Sequence, residues 1–361
     1  MLYGDVPLLS AATVLRLRDT QAGSDAAATV ITTTVDDPAQ YGRVFVNASG
    51  EVTAIVEYRA CTEEQRAVRV INSGIYCFRA DLLWRHIGEI QPNPVSGEIY
   101  LTDMAEILAR HGHRMRALHV EDPRELLGIN TRVELADADR ILRDRKCREL
   151  MLAGVTIERP ETVTIDADVQ VGADSTVEPF ARLLGRTTVG QDCQVGAGAI
   201  LQDAALESGS AVRPYSIVSQ SRIAAGAEVG PFARLRPGTE VGAGAHVGNF
   251  IELKNTRMGA GAKSHHVGYL GDSEIGANAN IGAGTIICNY DGAAKHKTRI
   301  GEGAFVGSNS TLVAPVEIGD GSYVAAGSVI TEAVPPDSLA LGRARQAVKP
   351  GWAKKRRESR K

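Results

Sequence analysis

The stretch Thr188-Val-Gly-Gln-Asp-Cys-Gln-Val-Gly-Ala-Gly-Ala-Ile-Leu201 decides the fold of the C-terminal half. Val189, Val195 and Leu201 stand six residues apart, and glycine follows the first two directly. The same step runs back through Leu183, Val177, Val171 and Ile165. It resumes at Ile223, Val229, Leu235, Val241, Val247 and Leu253, again at Ile275, Ile281 and Ile287, and finally from Ile300 through Val306, Leu312, Ile318 and Val324 to Ile330. A period of six fits neither the 3.6 of a helix nor the alternation of a hairpin strand. It marks a β-solenoid of hexapeptide units, each a short strand and a turn with one aliphatic side chain inward. The glycines of Val171-Gly172, Val189-Gly190, Val195-Gly196, Ile275-Gly276 and Ile318-Gly319 are expected to supply turn dihedrals that a Cβ forbids.

Breaks in such a repeat are where function is sought. The six-residue step from Ile281 to Ile287 is followed by 13 residues to Ile300. The ejected segment holds Asn289-Tyr290-Asp291-Gly292 and Lys295, polar and aromatic rather than merely flexible, so it reads as a site builder.

Outside the solenoid the pattern changes. Residues 1 to about 130 mix strand alternation (Thr29 to Val35, Val44 to Val46, Val52 to Val56) with helical spacing (Ser10 to Arg18, Asp81 to Ile87, Thr102 to Arg110), the mark of an α/β layer domain. Val68 to Phe78 reads as a pair of strands. A charged helical stretch, Arg132 to Ala153, connects the two parts. The expected division is 1–132, a connecting helix over 133–153, and 154–361 for the solenoid with its basic, solvated tail.

Composition narrows the partners. The chain has 361 residues with 40 Lys and Arg against 43 Asp and Glu, a net charge of −3, which gives no electrostatic case for nucleic acid. Five scattered cysteines without metal-type spacing suit reduced thiols and a cytoplasmic location. No apolar run reaches the roughly 20 residues of a membrane span.

Several motifs together resemble one family. They are Gly230-Pro-Phe-Ala-Arg-Leu-Arg-Pro-Gly238, His246-Val-Gly-Asn-Phe-Ile-Glu-Leu-Lys254, His266-Val-Gly-Tyr-Leu-Gly-Asp272, Asn280-Ile-Gly-Ala-Gly-Thr285 and Cys288-Asn-Tyr-Asp-Gly292. Upstream stand Leu2-Tyr-Gly-Asp-Val-Pro-Leu8, Asn72-Ser-Gly-Ile75 and Gly128-Ile-Asn130. In this order and spacing they resemble the bacterial bifunctional N-acetylglucosamine-1-phosphate uridyltransferases/glucosamine-1-phosphate acetyltransferases, over essentially the whole chain.

The resemblance implies a Rossmann-like nucleotidyltransferase portion followed by a left-handed parallel β-helix, assembled as a homotrimer. It implies acetyl transfer from acetyl-CoA to glucosamine 1-phosphate, with His266 as general base. Arg236, Lys254, Tyr269 and Asn280 would hold the sugar phosphate, and Lys295 would assist. Ala283, Asn289, Tyr290, Ser308, Ala326 and Arg343 would contact acetyl-CoA. For the second activity, Tyr3, Gly4, Asp5, Gly42, Glu57, Asn72 and Asn130 correspond to UDP-N-acetylglucosamine contacts, with Asp5 and Asn130 on Mg²⁺. The Gly-rich nucleotide loop that opens the family's uridyltransferase domain has no counterpart, so the chain is expected to start inside that domain, at a central strand ending in Asp5. Apolar surface is then expected around Leu2, Val6 and Leu8, and conversion of UTP is expected to be lost. Two other readings remain open at this stage. One is acyl transfer to another acceptor; the other is a non-catalytic trimeric scaffold. A shared histidine zinc site drawn from His246, His265, His266 and His296 is a further possibility.

Overall fold

A computed structural model describes residues 1–93 and 97–359. The chain divides into two compact units, Met1–Leu142 and Arg143–Lys361. Among the described residues no helix is long and apolar enough to cross a membrane.

The second unit is a parallel β-helix with three strands per coil. One face is a nine-stranded sheet, and the other two join into a 19-stranded sheet. The joining has a visible cause: His246–Lys254 and Lys263–Gly271 are nine-residue strands that run through a corner without breaking. Along one rank, Leu183, Leu201, Val218, Leu235 and Leu253 stack coil on coil in parallel register, and Leu270 follows. All six side chains are fully buried. Each removes its apolar surface from water, worth about 1.5–3 kcal/mol apiece before chain entropy is charged.

The register accounts for the gaps in the sixfold count. Leu201 lies over Val218 and Val218 over Leu235, coils of 17 residues, whereas Leu183 to Leu201 takes 18. In the shorter coils one corner has five residues, so Leu206, Val212 and Met258 point inward too but fall out of phase with the sequence count. A second inward series comes four residues after the aliphatic one: Ser175, Cys193, Ala199, Ala233 and Ala245, all buried. These small side chains fit the corners. Their hydroxyls close turn carbonyls, as Ser210 Oγ does on Glu207 O at 2.6 Å.

The glycines play a different part from the expected one. Gly172, Gly190, Gly196, Gly276 and Gly319 are not in the left-handed region. They are required because the next coil approaches too closely. A Cβ on Gly190 would lie 2.6 Å from Ser208 N, and one on Gly276 2.5 Å from Glu302 N. The left-handed corners are carried instead by residues such as Phe180, Tyr215, Phe232 and Phe250, with φ near +60°. On the nine-stranded face, Arg222, Glu240, Arg257, Glu274, Arg299 and Glu317 alternate in strict register.

The first unit is a five-stranded mixed sheet. Val52–Val56, Arg43–Val46, Val70–Phe78, Ala28–Thr34 and Met115–His119 lie side by side in that order. Only Ala28–Thr34 and Met115–His119 pair in parallel. Met115–His119 was not evident from the sequence. Val70–Phe78 is one strand rather than a pair. Its Asn72-Ser-Gly74 segment forms a bulge, with Ser73 Oγ donating to Ile31 O at 2.8 Å and Gly74 at φ +75°. Helix Ala11–Ala22 starts at Ser10, whose hydroxyl accepts from Thr13 N. Residues 1–5 form no strand, contrary to expectation; Met1 instead exchanges hydrogen bonds with the backbone of Tyr76. Leu2 is exposed as expected, but Leu8 is buried. The tail carries an exposed helix, Trp352–Glu358.

Candidate functional site

Two arrangements meet at one corner of the solenoid. The first is a column of residues, each immediately before the corner in its own coil. Asn249 lies in register with His266. The next coils follow through Gly284 N to Val267 O at 2.7 Å, Asn309 N to Ala283 O at 2.7 Å and Gly327 N to Ser308 O at 2.8 Å. Ala283, Ser308 and Ala326 therefore continue the column above His266, and Arg343 closes it by donating to Ala326 O at 2.8 Å. Four coil spacings of about 4.8 Å separate the His266 row from the Arg343 row, roughly 19 Å. The intervening side chains are small, so a slender ligand can lie along the backbone between a histidine at one end and a guanidinium at the other.

His266 is exposed, and its Nδ1 stands 3.0 Å from Asn249 Oδ1. An amide oxygen only accepts, so this contact places the proton on Nδ1 and leaves Nε2 free as a base. His265 has a different environment. Its ring lies 4.4 Å from that of His246. Partial burial, then the His246 and His266 charges, hold its imidazole below the ordinary value.

The second arrangement lies past the corner, on the following strand segments. Lys254 Nζ binds Asp272 Oδ2 at 3.0 Å, Asn255 Nδ2 donates to Asp272 Oδ1 at 2.8 Å, and Asn289 Nδ2 donates to Asp272 Oδ2 at 2.5 Å. Burial works to raise the Asp272 carboxyl, but the hydrogen bonds from Asn255, Lys254 and Asn289 together outweigh it and hold it below the usual carboxylate range. Lys254 is held above its ordinary value, first by donating to the Lys295 amine and then by its pairing with Asp272, while Lys295 is held below its ordinary value by that hydrogen bond and the Lys254 ammonium beside it. Arg236 adds to the positive field on Lys295 and pairs with Glu252 at 3.0 Å. Tyr269 lies in register with Glu252, with its hydroxyl 3.4 Å from Asn289 Nδ2. Gly271 is required here, since a Cβ would stand 2.5 Å from that hydroxyl and 2.8 Å from the Asn289 amide. Lys254 on its nearly buried carboxylate, with Lys295 beside it and Arg236 next to Lys295, forms a receptor for a compact dianion.

The structure thus brings together Arg236, Lys254, Tyr269 and Lys295, and separately His266, Ala283, Ser308, Ala326 and Arg343. Within one chain, Asn289 is buried with its amide on Asp272, which puts it beside the cationic cluster. Asn280 lies in the row of Lys263 and Phe305, away from Arg236 and Tyr269. Tyr290 sits in the ejected loop, its hydroxyl donating to Gly292 O at 2.6 Å, while His296 Nε2 contacts Asp291 Oδ2 at 2.6 Å. Asp272, Asn249 and Glu252 were given no role from the sequence. Within one chain, His246, His265, His266 and His296 are not among the described groups that gather three metal-ligating atoms.

In the first unit, Gly42, Glu57 and Asn72 converge: a Cβ on Gly42 would lie 3.4 Å from the Glu57 carboxylate and 3.5 Å from Asn72 Cβ. Asn72 Oδ1 accepts from the Tyr76 hydroxyl at 2.9 Å. Burial, then Asp5 and Glu57, raise the Tyr3 phenol, which places Tyr3 in the same field. Gly4 is exposed with open space around it. Ile129 N donates to Asp5 O at 2.9 Å, so Asp5 and Asn130 are near neighbours, both exposed. One carboxylate and one amide facing water fit Mg²⁺, which takes few protein oxygens and keeps its waters.

The bacterial transferase hexapeptide family (six repeats) matches residues 297–332. The bifunctional protein GlmU of Solibacter usitatus is 56% identical over 358 residues, covering 99% of this chain and 77% of that protein. That of Koribacter versatilis is 49% identical over 364 residues, covering 100% and 78%. That of Brevibacillus brevis is 45% identical over 355 residues, covering 98% and 77%. A solved UDP-N-acetylglucosamine acyltransferase from Campylobacter jejuni is similar over 52% of this chain and 72% of its own, at 19% identity and a TM-score of 0.31, and adds nothing to the assignment. Matched along nearly its whole length by proteins of one kind, this chain is a member of the bifunctional GlmU family and an enzyme of the hexapeptide transferase class.

Proposed function

We propose that the solenoid transfers the acetyl group of acetyl-CoA to the amine of glucosamine 1-phosphate, in the synthesis of UDP-N-acetylglucosamine. The observation that carries this reading is the junction of the two arrangements: a column of small residues running from Arg343 to His266, and the Arg236–Lys254–Lys295 cluster across the corner from it. The sugar phosphate dianion sits among those cations, with Tyr269 and Asn289 beside it. The pantetheine arm lies over Ala326, Ser308 and Ala283, with the CoA phosphates towards Arg343. His266 Nε2, oriented through Asn249, takes a proton from the attacking amine. The new C–N bond forms, the thioester C–S bond breaks, and the proton passes on to the departing sulfur. Cytoplasmic location belongs to the same reading.

The functional unit in this proposal is a homotrimer with each site walled by a neighbouring copy. The exposed corner residues Phe180, Tyr215, Phe232 and Phe250 support it. They form an apolar stripe, stacked at 5.4 Å from Tyr215 to Phe232 and from Phe232 to Phe250, and the same corner leads on to Val267 beside His266. An aromatic stripe of this kind marks an interaction face. A monomeric mass by light scattering with full acetyl transfer removes the trimer from the proposal.

For the first unit we propose that Tyr3, Gly42, Glu57 and Asn72 keep sugar-nucleotide contacts and that Asp5 and Asn130 hold Mg²⁺, which would neutralise a bound pyrophosphate. No stretch of the 361 residues has the Gly-rich, phosphate-cradling pattern, and so this polypeptide by itself is expected not to use UTP.

The deciding experiment replaces His266 and Arg236 in turn. His266→Ala should lower turnover by about 10²–10⁴ with little change in KM. Arg236→Ala should chiefly raise KM for glucosamine 1-phosphate. A larger loss from His265→Ala than from His266→Ala would overturn the assignment of the base.

A further inference from the structure

The first unit contains a cluster that the acetyl-transfer chemistry does not use. Helix Ala80–His86 ends at His86, and the turn Ile87–Glu89 follows it directly. Helix Met104–Arg110 ends against His111. His86 Nδ1 lies 2.7 Å from Glu89 Oε1, and His111 Nε2 lies 2.9 Å from Glu89 Oε2. The two imidazole rings are 4.1 Å apart, and a third, His113, lies 5.8 Å from His86. One ligand atom from each of His86, Glu89 and His111 falls within 4.8 Å of the other two, a gathering found nowhere else among the described residues of the chain.

We propose that His86, Glu89 and His111 form a binding site for a zinc-like divalent ion, with His113 or water as the fourth ligand. Two imidazoles and one carboxylate are a donor set that borderline cations such as Zn²⁺ take readily. The required movement is small, because ligand atoms about 2.0–2.2 Å from a tetrahedral ion stand roughly 3.3 Å from one another.

The protonation pattern agrees. Glu89 presents one carboxylate oxygen to His86 Nδ1 and the other to His111 Nε2, and a carboxylate oxygen accepts. Both imidazole atoms that face it are donors in the metal-free form. An incoming cation takes the place of those two protons, which pass to the other ring nitrogens or to solvent, and leaves the same three side chains in contact. His86 is buried, with 6% of its surface exposed, while Glu89 and His111 are exposed, so the ion would sit at the surface with one buried ligand beneath it. Its place in the fold gives it a structural role, tying the ends of two helices that cover the sheet. No covalent chemistry is asked of it.

The test uses the whole chain, stripped of metal by a chelator, with Zn²⁺ titrated calorimetrically and Co²⁺ followed by visible absorption. The expected result is one ion per chain, a four-coordinate Co²⁺ spectrum, and a rise in the melting temperature of the first unit. Loss of an outer-shell partner alone costs about 10–100-fold in affinity, so Glu89→Gln and His111→Ala should each cost at least about 100-fold. Glu89→Gln keeps a hydrogen-bonding side chain, so it remains informative if His111→Ala does not fold. His246→Ala tests whether the solenoid histidines are the binders. Absence of stoichiometric binding overturns the proposal. So does unchanged affinity in both cluster variants, or loss of binding in His246→Ala alone.

Discussion

Replacing Asp272 by Asn removes the carboxylate on which the sugar-phosphate cluster is built. Its side chain accepts from Lys254, Asn255 and Asn289 at 3.0, 2.8 and 2.5 Å, and only 7% of the residue is exposed. At 3.0 Å and an effective dielectric of about 20, the attraction to Lys254 is about 5–6 kcal/mol before desolvation. A charge-assisted hydrogen bond retains about 1.5–3 kcal/mol of that as net stability. An Asn amide has one acceptor oxygen for three donors, and its own NH₂ must face one of them. The expected loss is about 2–4 kcal/mol, or roughly 5–15 °C in the melting temperature of the solenoid. Thermal unfolding followed by circular dichroism checks it.

The pH dependence supplies a second reading. The Asp272 pKa is lowered in the folded chain, so its contribution is present above the unfolded value of about 4 and is lost as pH falls through the folded value. The gap between wild type and Asp272→Asn should therefore close on acidification. Kinetically, KM for glucosamine 1-phosphate should change while KM for acetyl-CoA does not, because the Ala283–Ser308–Ala326 column makes none of these contacts. A variant that melts with the wild type and keeps its KM for the sugar phosphate would refute the network as described.

Ile281, 3% exposed in the aliphatic rank, should not tolerate Asp: an unpaired buried charge costs several kcal/mol, and a soluble, fully folded Ile281→Asp chain would contradict the inward ranks. Ala326→Phe should fill the small-residue column and raise KM for acetyl-CoA at least about tenfold with the sugar-phosphate KM unchanged, since a misplaced ring costs 1–3 kcal/mol even in a tolerant site; steady-state kinetics in both substrates tests this. Incubated with UTP, Mg²⁺ and N-acetylglucosamine 1-phosphate, the 361-residue polypeptide should release no pyrophosphate, and release at an enzymatic rate would show that its first unit needs no Gly-rich phosphate loop.

What the sequence disclosed follows from what repeats. Val189, Val195 and Leu201 announce inward positions because a solenoid asks the same of every coil. Leu206 and Met258 were hidden by five-residue corners that put the count out of phase, although the small residues four places on, Ser210 and Ala262, mark the same coils. The site was legible through motifs rather than through spacing. His266 stood out only with its neighbours, and Asn249, which orients it, lies 17 residues earlier and is its partner solely through coil register. Asp272 follows a glycine that has no room for a Cβ, yet nothing local tells that it gathers Lys254 and Asn289 from adjoining coils. Asn289 was assigned to acetyl-CoA by resemblance alone, and its hydrogen bond to Asp272 could not be read from its neighbours in the sequence. In the first unit, Met115–His119 is a five-residue edge strand of mixed burial, too short to show an alternation.

The alternating charges on the nine-stranded face bear on how the chain finds its winding. Successive coils offer nearly identical strands and nearly identical aliphatic ranks, so a folding chain displaced by one whole turn would lose little backbone pairing. The row Arg222, Glu240, Arg257, Glu274, Arg299, Glu317 does distinguish the turns. A displacement of one turn sets arginine over arginine or glutamate over glutamate at the step where it occurs, wherever along the row that is. Each native pair is exposed and contributes little by itself, Arg257 to Glu240 at 3.1 Å among them. Their combined effect falls on the competing windings, which they penalise together. Raising the ionic strength should leave the finished solenoid nearly as stable while lowering the yield of correctly wound chains on refolding.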